Sequence, residues 1–406
     1  MPRCAREVSE GVPQEGQGRA GDLSRHRDGM SGLRRWKRAA LIGVAAALPA
    51  LAQALPDRFT DPEDGHLDLS KHLLEQRGFL PVPLIITEPA VGGGGGAALL
   101  FFRESIVDAQ TRSRAAGQRA SPPDIGGLAA FKTGNGSQGF GAGYFGTLAD
   151  DRYRFFGAAG KADLNLDLYG LGGAPRRFAL SAPFGLAQGL ARLGASDWFV
   201  GARYIYVGSS VRFAGATPGG ISDAQLDARI GRASLVVDHD SRDNMFTPSR
   251  GSYAELDLGV ARPGLGSTAS FETATLRAYT WLPIGRSTVL GLRGDGQATR
   301  GDVPFYARPF IAIRGIPALR YQGRHTLVAE AELRHNLNPR WAVVGFAGSG
   351  KAYASDAPFA RDQTAGAVGA GFRYLMARKM GLYAGVDVAR GPEDTVVYLQ
   401  VGSAWN

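Results

Sequence analysis

Leu327-Val328-Ala329-Glu330-Ala331-Glu332-Leu333-Arg334-His335-Asn336-Leu337 alternates with a period of two. Its odd positions carry Leu, Ala and a single His, and its even positions carry Glu330, Glu332, Arg334 and Asn336 after Val328. Residues two apart share one face of a strand, so this stretch reads as a strand with one apolar and one charged face. Ser252–Ala261 splits the same way, with Ala254, Leu256, Leu258 and Val260 opposing Tyr253, Glu255 and Asp257. In Thr288–Gln297 the polar residues Arg293, Asp295 and Gln297 fall on one face. The last segment sets Val397, Leu399, Val401, Ser403 and Trp405 against Tyr398, Gln400, Gly402 and Ala404.

From Gly92 onward nearly every segment follows this pattern, in runs of about ten residues punctuated by Gly, Asp, Asn and Pro. About fifteen such runs are countable, and closed bacterial barrels favour even strand numbers. The expectation is therefore an all-β, transmembrane antiparallel β-barrel of 16 strands, one more than the runs counted, with the remaining strand somewhere in Phe178–Leu193. A soluble β-sandwich also alternates, but it turns many Lys-rich strands to water. Here Lys is scarce, and Trp198, Trp281, Trp341 and Trp405 sit near strand ends. Gly makes up 58 of 406 residues, about double the usual ~7%, and it is spread through the apolar segments rather than gathered in a linker.

Residues 30–54 have the form of a secretory signal peptide: Met30, the basic run Arg34-Arg35-Trp36-Lys37-Arg38, the apolar stretch Ala39–Leu51, then Ala52-Gln53-Ala54. That apolar stretch is shorter than the ~20 residues of a spanning helix. Export and a mature chain starting near Leu55 are expected. Residues 1–29 read as a non-native or extended N-terminus, 55–90 as a short periplasmic leader, and 91–406 as the barrel. Processing would remove Cys4, the one cysteine, which excludes disulfides, thiolate metal sites and cysteine nucleophiles from the mature protein. It would also lower the formal net charge from +9 to about +5. The remaining basic residues lie within strands, so no patch of the kind nucleic acid requires is formed.

Between about Arg300 and His325 runs a polar and aromatic connection, roughly twice the ~12–15 residues at which a structureless loop becomes unusual. At its centre stands Ile313-Arg314-Gly315-Ile316-Pro317. This motif resembles the V-R-G-F/Y motif of the BamA/TamA family of outer-membrane assembly factors, the bacterial surface antigen superfamily. Asp240-Ser241-Arg242-Asp243-Asn244-Met245-Phe246-Thr247-Pro248-Ser249-Arg250-Gly251 is similar to that family's D-x-R-D-N-x-x-x-P-x-x-G signature, with Asp240, Arg242, Asp243, Asn244, Pro248 and Gly251 at the matching positions. The resemblance covers roughly Thr87 to Asn406, and the terminal strand ending in Trp405 fits a C-terminal barrel signal.

The resemblance implies a sixteen-stranded barrel whose sixth extracellular loop folds into the lumen and presents Arg314 to the inner wall. An unpaired Arg there would cost roughly 3–5 kcal/mol, so a carboxylate partner is required, in the bidentate geometry a guanidinium favours. Asp387 is the first candidate, and Glu332 and Glu330 are the second, with Gly315 allowing close backbone approach. Two departures stand out. Gly348 occupies the carboxylate position of the family's F-x-D-x-G strand, and only the short leader stands where the family carries POTRA domains. The chain thus reads as a branch lacking them.

Other chemistry finds little support. Gly345–Ala352 comes near a phosphate-cradling loop but has Ala352 where a hydroxyl should bind magnesium. There is no H-E-x-x-H and no G-x-S-x-G. His239, in Asp238-His239-Asp240, has acidic neighbours that point to the opposite face. Asp240–Gly251 serves a tight turn as well as it would serve calcium. The expectation is a non-enzymatic outer-membrane assembly or translocation barrel with no cofactor, no metal and no catalytic residues. Its partners would be outer-membrane lipid, the barrel assembly machinery during insertion, and an unidentified periplasmic or client protein. A diffusion porin and an outer-membrane barrel hydrolase are the alternatives.

Overall fold

The computed structural model describes residues 57–108, 124–169, 175–353 and 362–405. The signal at 30–54, the stretch 1–29 and Cys4 lie outside the described residues. Sixteen strands form one sheet in which each strand neighbours the next in sequence, and every pairing is antiparallel. In chain order they are β1 Gly78–Ile86, β2 Gly94–Phe102, β3 Ile125–Thr133, β4 Gln138–Leu148, β5 Tyr153–Leu168, β6 Arg176–Arg192, β7 Trp198–Phe213, β8 Asp227–Asp240, β9 Gly251–Ala261, β10 Phe271–Ile284, β11 Thr288–Gly301, β12 His325–Asn336, β13 Trp341–Tyr353, β14 Gln363–Ala377, β15 Leu382–Arg390 and β16 Thr395–Val401. A five-residue helix, α1 (Ser70–Leu74), precedes them. Among the described residues no helix is long and apolar enough to cross a membrane.

The sheet is an inside-out globule, and this is the property that makes it a membrane wall. On β12 the apolar residues Leu327 and Leu333 are 55% and 45% exposed, whereas Glu330 is 4% exposed. On β9, Leu258 and Val260 are exposed while Glu255 and Asp257 are buried. A contiguous exposed apolar band with charges turned inward suits hydrocarbon outside and a polar interior. In hydrocarbon a sheet that curls on itself leaves the fewest backbone groups unpaired.

The strands are uneven. Nine residues make up each of β1, β2 and β3, and seven make up β16, against sixteen or seventeen in β5, β6 and β7. Among the described residues no ladder joins β16 to β1, so short strands flank a seam. Pro81 and Pro83 lie on β1, which pairs with β2 along its full length. Two residues apart, they present their nitrogens on the same edge, and a ladder tolerates Pro only where that nitrogen faces away from a partner. The free edge of β1 therefore lacks two donors and cannot zip fully.

Two sequence boundaries change. The sixteenth strand is not hidden in Phe178–Leu193, which up to Arg192 belongs to the single strand β6; it is β1, inside the stretch read as a leader, so the barrel starts at Gly78 rather than at residue 91. Its prolines disguised it. The last strand stops at Val401, and Gly402, with φ +78°, turns the chain away. Trp405 consequently does not continue the alternation. It is buried against Tyr279 and Trp281, with ring centroids 6.2 and 6.1 Å away.

Candidate functional site

The connection between β11 and β12, residues 302–324, has apolar residues at both ends and a charge in the middle. Phe305 and Leu319 are buried in a cluster with Leu166 and Leu168 of β5, Phe178, Leu180 and Ala182 of β6, and Val211 of β7. Ile311, Ile313 and Ile316 are buried in a second cluster with Val328 of β12, Ala352 of β13, and Ala365 and Ala367 of β14. One segment thus packs on the inward faces of two wall regions far apart in the strand order. Burial of its large apolar side chains contributes about 1.5–3 kcal/mol each.

Arg314 lies between these anchors. Its Nε and Nη2 donate to Oε1 of Glu330 at 3.0 and 2.7 Å, and its Nη1 donates to Oδ2 of Asp387 at 2.8 Å. Glu332 Oε2 is also 2.8 Å from Nη1. The guanidinium lies over the ring of Phe346, 3.6 Å from its centroid, a cation–π contact strengthened by the burial of the Arg314 side chain. Glu330 and Asp387 have fully buried side chains. Each has a second cation: Arg373 pairs with Asp387, donating from Nη2 at 2.9 Å, and Arg293 reaches Glu330 at 3.2 Å. Of the residues singled out for the loop, Arg314, Gly315, Asp387 and Glu332 come together, and Glu330, ranked beside Glu332, makes the bifurcated contact.

Small residues make room for this arrangement. Gly315 has φ +93°, and a Cβ there would stand 3.2 Å from both Ala389 Cβ and Gly391 N; its N–H donates to Tyr398 Oη at 2.8 Å. A Cβ on Gly348 or Gly350 would meet Ile313 at 3.2 Å or Ile311 at 2.6 Å. The residue that departs from the family's carboxylate is thus a seat for the loop. Elsewhere the loop is held by Glu88, whose Oε1 accepts from Ala318 N at 3.1 Å, and by Glu393, which takes Tyr321 Oη and an ion pair from Arg320 at 2.9 Å.

The Asp240–Gly251 motif does not approach Arg314; it builds the β8–β9 turn. Arg242 pairs with Asp240 at 2.8 Å. Asp243 Oδ1 accepts from the backbone N–H of Ser249 and Arg250, and Asn244 Oδ1 from those of Phe246 and Thr247. Asn244 Nδ2 donates 2.6 Å to Met380 O in the β14–β15 turn, Pro248 O accepts from Arg334, and Ser403 N donates to Phe246 O. Gly251, at φ +100°, would put a Cβ 2.3 Å from Ser241 O. The turn therefore bridges to the far side of the sheet. His239 stacks on Trp198, ring centroids 4.7 Å apart, on the lipid face. Gly345–Ala352 lies wholly within β13. Among the described residues no group of three or more His, Cys, Asp or Glu is arranged to hold a metal ion.

Sequence reading missed a second junction. Arg340, in the β12–β13 turn and 3% exposed, donates to Asp61 and Asp64 at 2.5 Å and to Asp68 at 2.7 Å. A backbone bond from Leu69 N to Met376 O and a bond from Lys379 N to the Ser70 hydroxyl complete the docking of residues 57–77 onto these turns. The side-chain hydrogen bond from Arg340 holds the Asp64 carboxyl below its ordinary range. Burial works to raise that of Asp68, but hydrogen bonds from Ser70 and Arg340 outweigh it and the net direction is down. The signal was the spacing of three Asp in an otherwise mixed leader, which no motif marks.

An uninterrupted sixteen-strand meander with an apolar outer face and a long connection packed against its inward faces defines a transmembrane β-barrel. The same fold occurs in BamA from Haemophilus ducreyi lacking POTRA domains 1-3, with TM-score 0.55, 10% identity, 80% of this chain and 69% of that one covered. It occurs also in CdiB from Escherichia coli (TM-score 0.56, 13% identity, 79% and 61% covered) and in CdiB from Acinetobacter baumannii (TM-score 0.52, 14% identity, 80% and 59% covered). The chain thus spans under two thirds of either CdiB chain. No family model and no curated protein matches the sequence.

Proposed function

We propose that this chain is a bacterial outer-membrane barrel acting in assembly or translocation of other molecules, without enzymatic chemistry, and that residues 302–324 form a lumen plug anchored by Arg314. The observation that carries the reading is the convergence of one loop guanidinium on carboxylates from two separate strands, β12 and β15. A freely conducting porin has no use for so costly a buried ion network at its centre. The fold shared with BamA and CdiB supports the class of work, and the seam beside β1 is the weak edge at which lipid or a client would engage.

Fractionation is the direct test, with heat-modifiable gel mobility as the sign of a folded barrel. A strain lacking the chain is then compared with wild type for its outer-membrane and secreted proteins. Loss of one or a few proteins from those fractions is the expected result. Unchanged fractions together with a large, steady single-channel conductance would instead make the chain a diffusion porin, and esterase or protease activity lost in His239→Ala would make it a hydrolase.

A further inference from the structure

Barrel strands in a membrane alternate apolar outside with polar inside, and β1 and β2 break that rule. They read GFLPVPLII and GGGAALLFF, with no polar side chain on either face. The unbroken registers from β1 through β6 fix which residues face inward. In this part of the wall they are residues such as Val82, Ala98, Ala129, Phe156 and Phe184. The opposite half, β8 to β15, faces inward with Arg232, Asp257, Arg293, Glu330, Arg373 and Asp387, which are bound to one another or to the loop. The lumen is therefore two-faced.

The loop does not cover the apolar half. Its packing on β6 ends at Ala182; the next inward residue there, Phe184, is 37% exposed, and three inward positions beyond Ala162 on β5, Phe156 is 39% exposed. A strand apolar on both faces belongs where both faces are buried in apolar surroundings. Bilayer hydrocarbon touches the outer face of β1, and the seam beside Pro81 and Pro83 lets the same phase reach the inner one. The nine residues of β1 rise about 3.3 Å each, so the apolar strip is longer than the roughly 15 Å depth of one hydrocarbon leaflet.

We infer that the inward face of β1 to β6 is a binding surface for the acyl chains of a membrane lipid, admitted from the bilayer through the β1–β16 seam. The occupant is lipid rather than an apolar peptide because the surface begins at the bilayer itself and offers an acyl chain a continuous apolar path. A peptide would need its backbone hydrogen bonds met, and β1 lacks two donors on the seam edge. The surface does not depend on the Arg314 anchor.

Spin labels test this in a Cys4→Ser background reconstituted into phosphatidylcholine vesicles. Ala98→Cys, Ala129→Cys and Phe156→Cys report the inward surface, Leu128→Cys the lipid face, and Arg286→Cys an aqueous turn. The collision rates of each label with oxygen, which partitions into hydrocarbon, and with a polar nickel chelate are compared. The inward labels should match Leu128→Cys, with an oxygen-to-nickel ratio several-fold above that of Arg286→Cys. A ratio matching Arg286→Cys means a water-filled lumen, and low collision with both reagents means a protein segment fills it; either result overturns the inference. Ala98→Cys and Ala129→Cys are minimal changes, so folding failure of Phe156→Cys leaves the test intact. Repeating the labels in Arg314→Ala separates this surface from the plug.

Discussion

Arg314→Ala is the perturbation whose size can be worked from the contacts. Wild type balances Arg314, Arg373 and Arg293 against Glu330, Glu332, Asp387 and Asp295. Removing Arg314 leaves Glu330 and Asp387, both with fully buried side chains, with one cation each. Breaking a buried pair from one side costs about 3–5 kcal/mol, which moves the seated-to-unseated equilibrium of the loop by roughly two to four decades at ~1.36 kcal/mol per decade. Ile311, Ile313 and Ile316 still hold the loop by apolar burial, so the expected state is a loop that opens intermittently. In planar bilayers the variant should show larger and flickering conductance where wild type conducts little, with a lowered thermal transition of heat-modifiable mobility. Adding Glu330→Gln should recover part of the loss, because it neutralises a carboxylate left short of a cation. Unchanged conductance and unchanged thermal stability in Arg314→Ala would falsify the argument, since packing alone would then suffice.

Gly315→Ala should destabilise the seated loop by about 1–2 kcal/mol from its left-handed backbone alone, and by more where the new methyl meets Ala389 and Gly391 at 3.2 Å; protease cleavage within 302–324 reads this out. Arg340→Ala should release residues 57–77, seen as faster proteolysis there with the barrel intact. Because the folded carboxyls of Asp64 and Asp68 lie below their ordinary 3.8, their contribution is complete above that value and lost as pH falls through the lowered ones, so docking should persist from neutral pH to about pH 4 and loosen only below it. Pro81→Val with Pro83→Val restores two donors to the free edge of β1, and should raise the unfolding temperature while slowing label access from the bilayer to Phe156→Cys.

The fold was legible because lipid enforces a strict alternation, and strands such as Leu327–Leu337 and Ser252–Ala261 obey it residue by residue. β1 escaped for the opposite reason: a strand with apolar residues on both faces and two prolines has no alternation to read. Trp405 misled because alternation ran four residues past the true strand end, and only Gly402's backbone angle marks the stop. Around Arg314 the sequence could name Asp387, Glu332 and Glu330 as carboxylates on inward faces, since parity gives the face. It put Asp387 first and the two glutamates second but could not tell Glu330 from Glu332, because register between strands, not position along one, decides which reaches the guanidinium. Arg340 and its three Asp were illegible, being joined by a chain reversal spanning most of the barrel.

The uneven wall and the two-faced lumen have one physical origin. A barrel closes only if its first and last strands pair, and here the first strand has prolines on its free edge and the last is only seven residues long. Such a seam is stable only where something other than a ladder satisfies both sides. On the charged half the loop contacts β12 and β15 through Arg314 and β12, β13 and β14 through the isoleucines. On the apolar half β1 and β2 carry no polar side chain that requires a partner, and hydrocarbon can substitute for protein there. The composition of β1 and β2 is then what lets the seam stay open: a polar inner face there would admit water beside lipid, and every unpaired backbone group at the edge would lose its hydrogen bonds in hydrocarbon or draw a leak across the membrane. Ala98→Asp, which places a carboxylate on that face, should therefore raise ion leakage through the barrel even with the Arg314 anchor untouched.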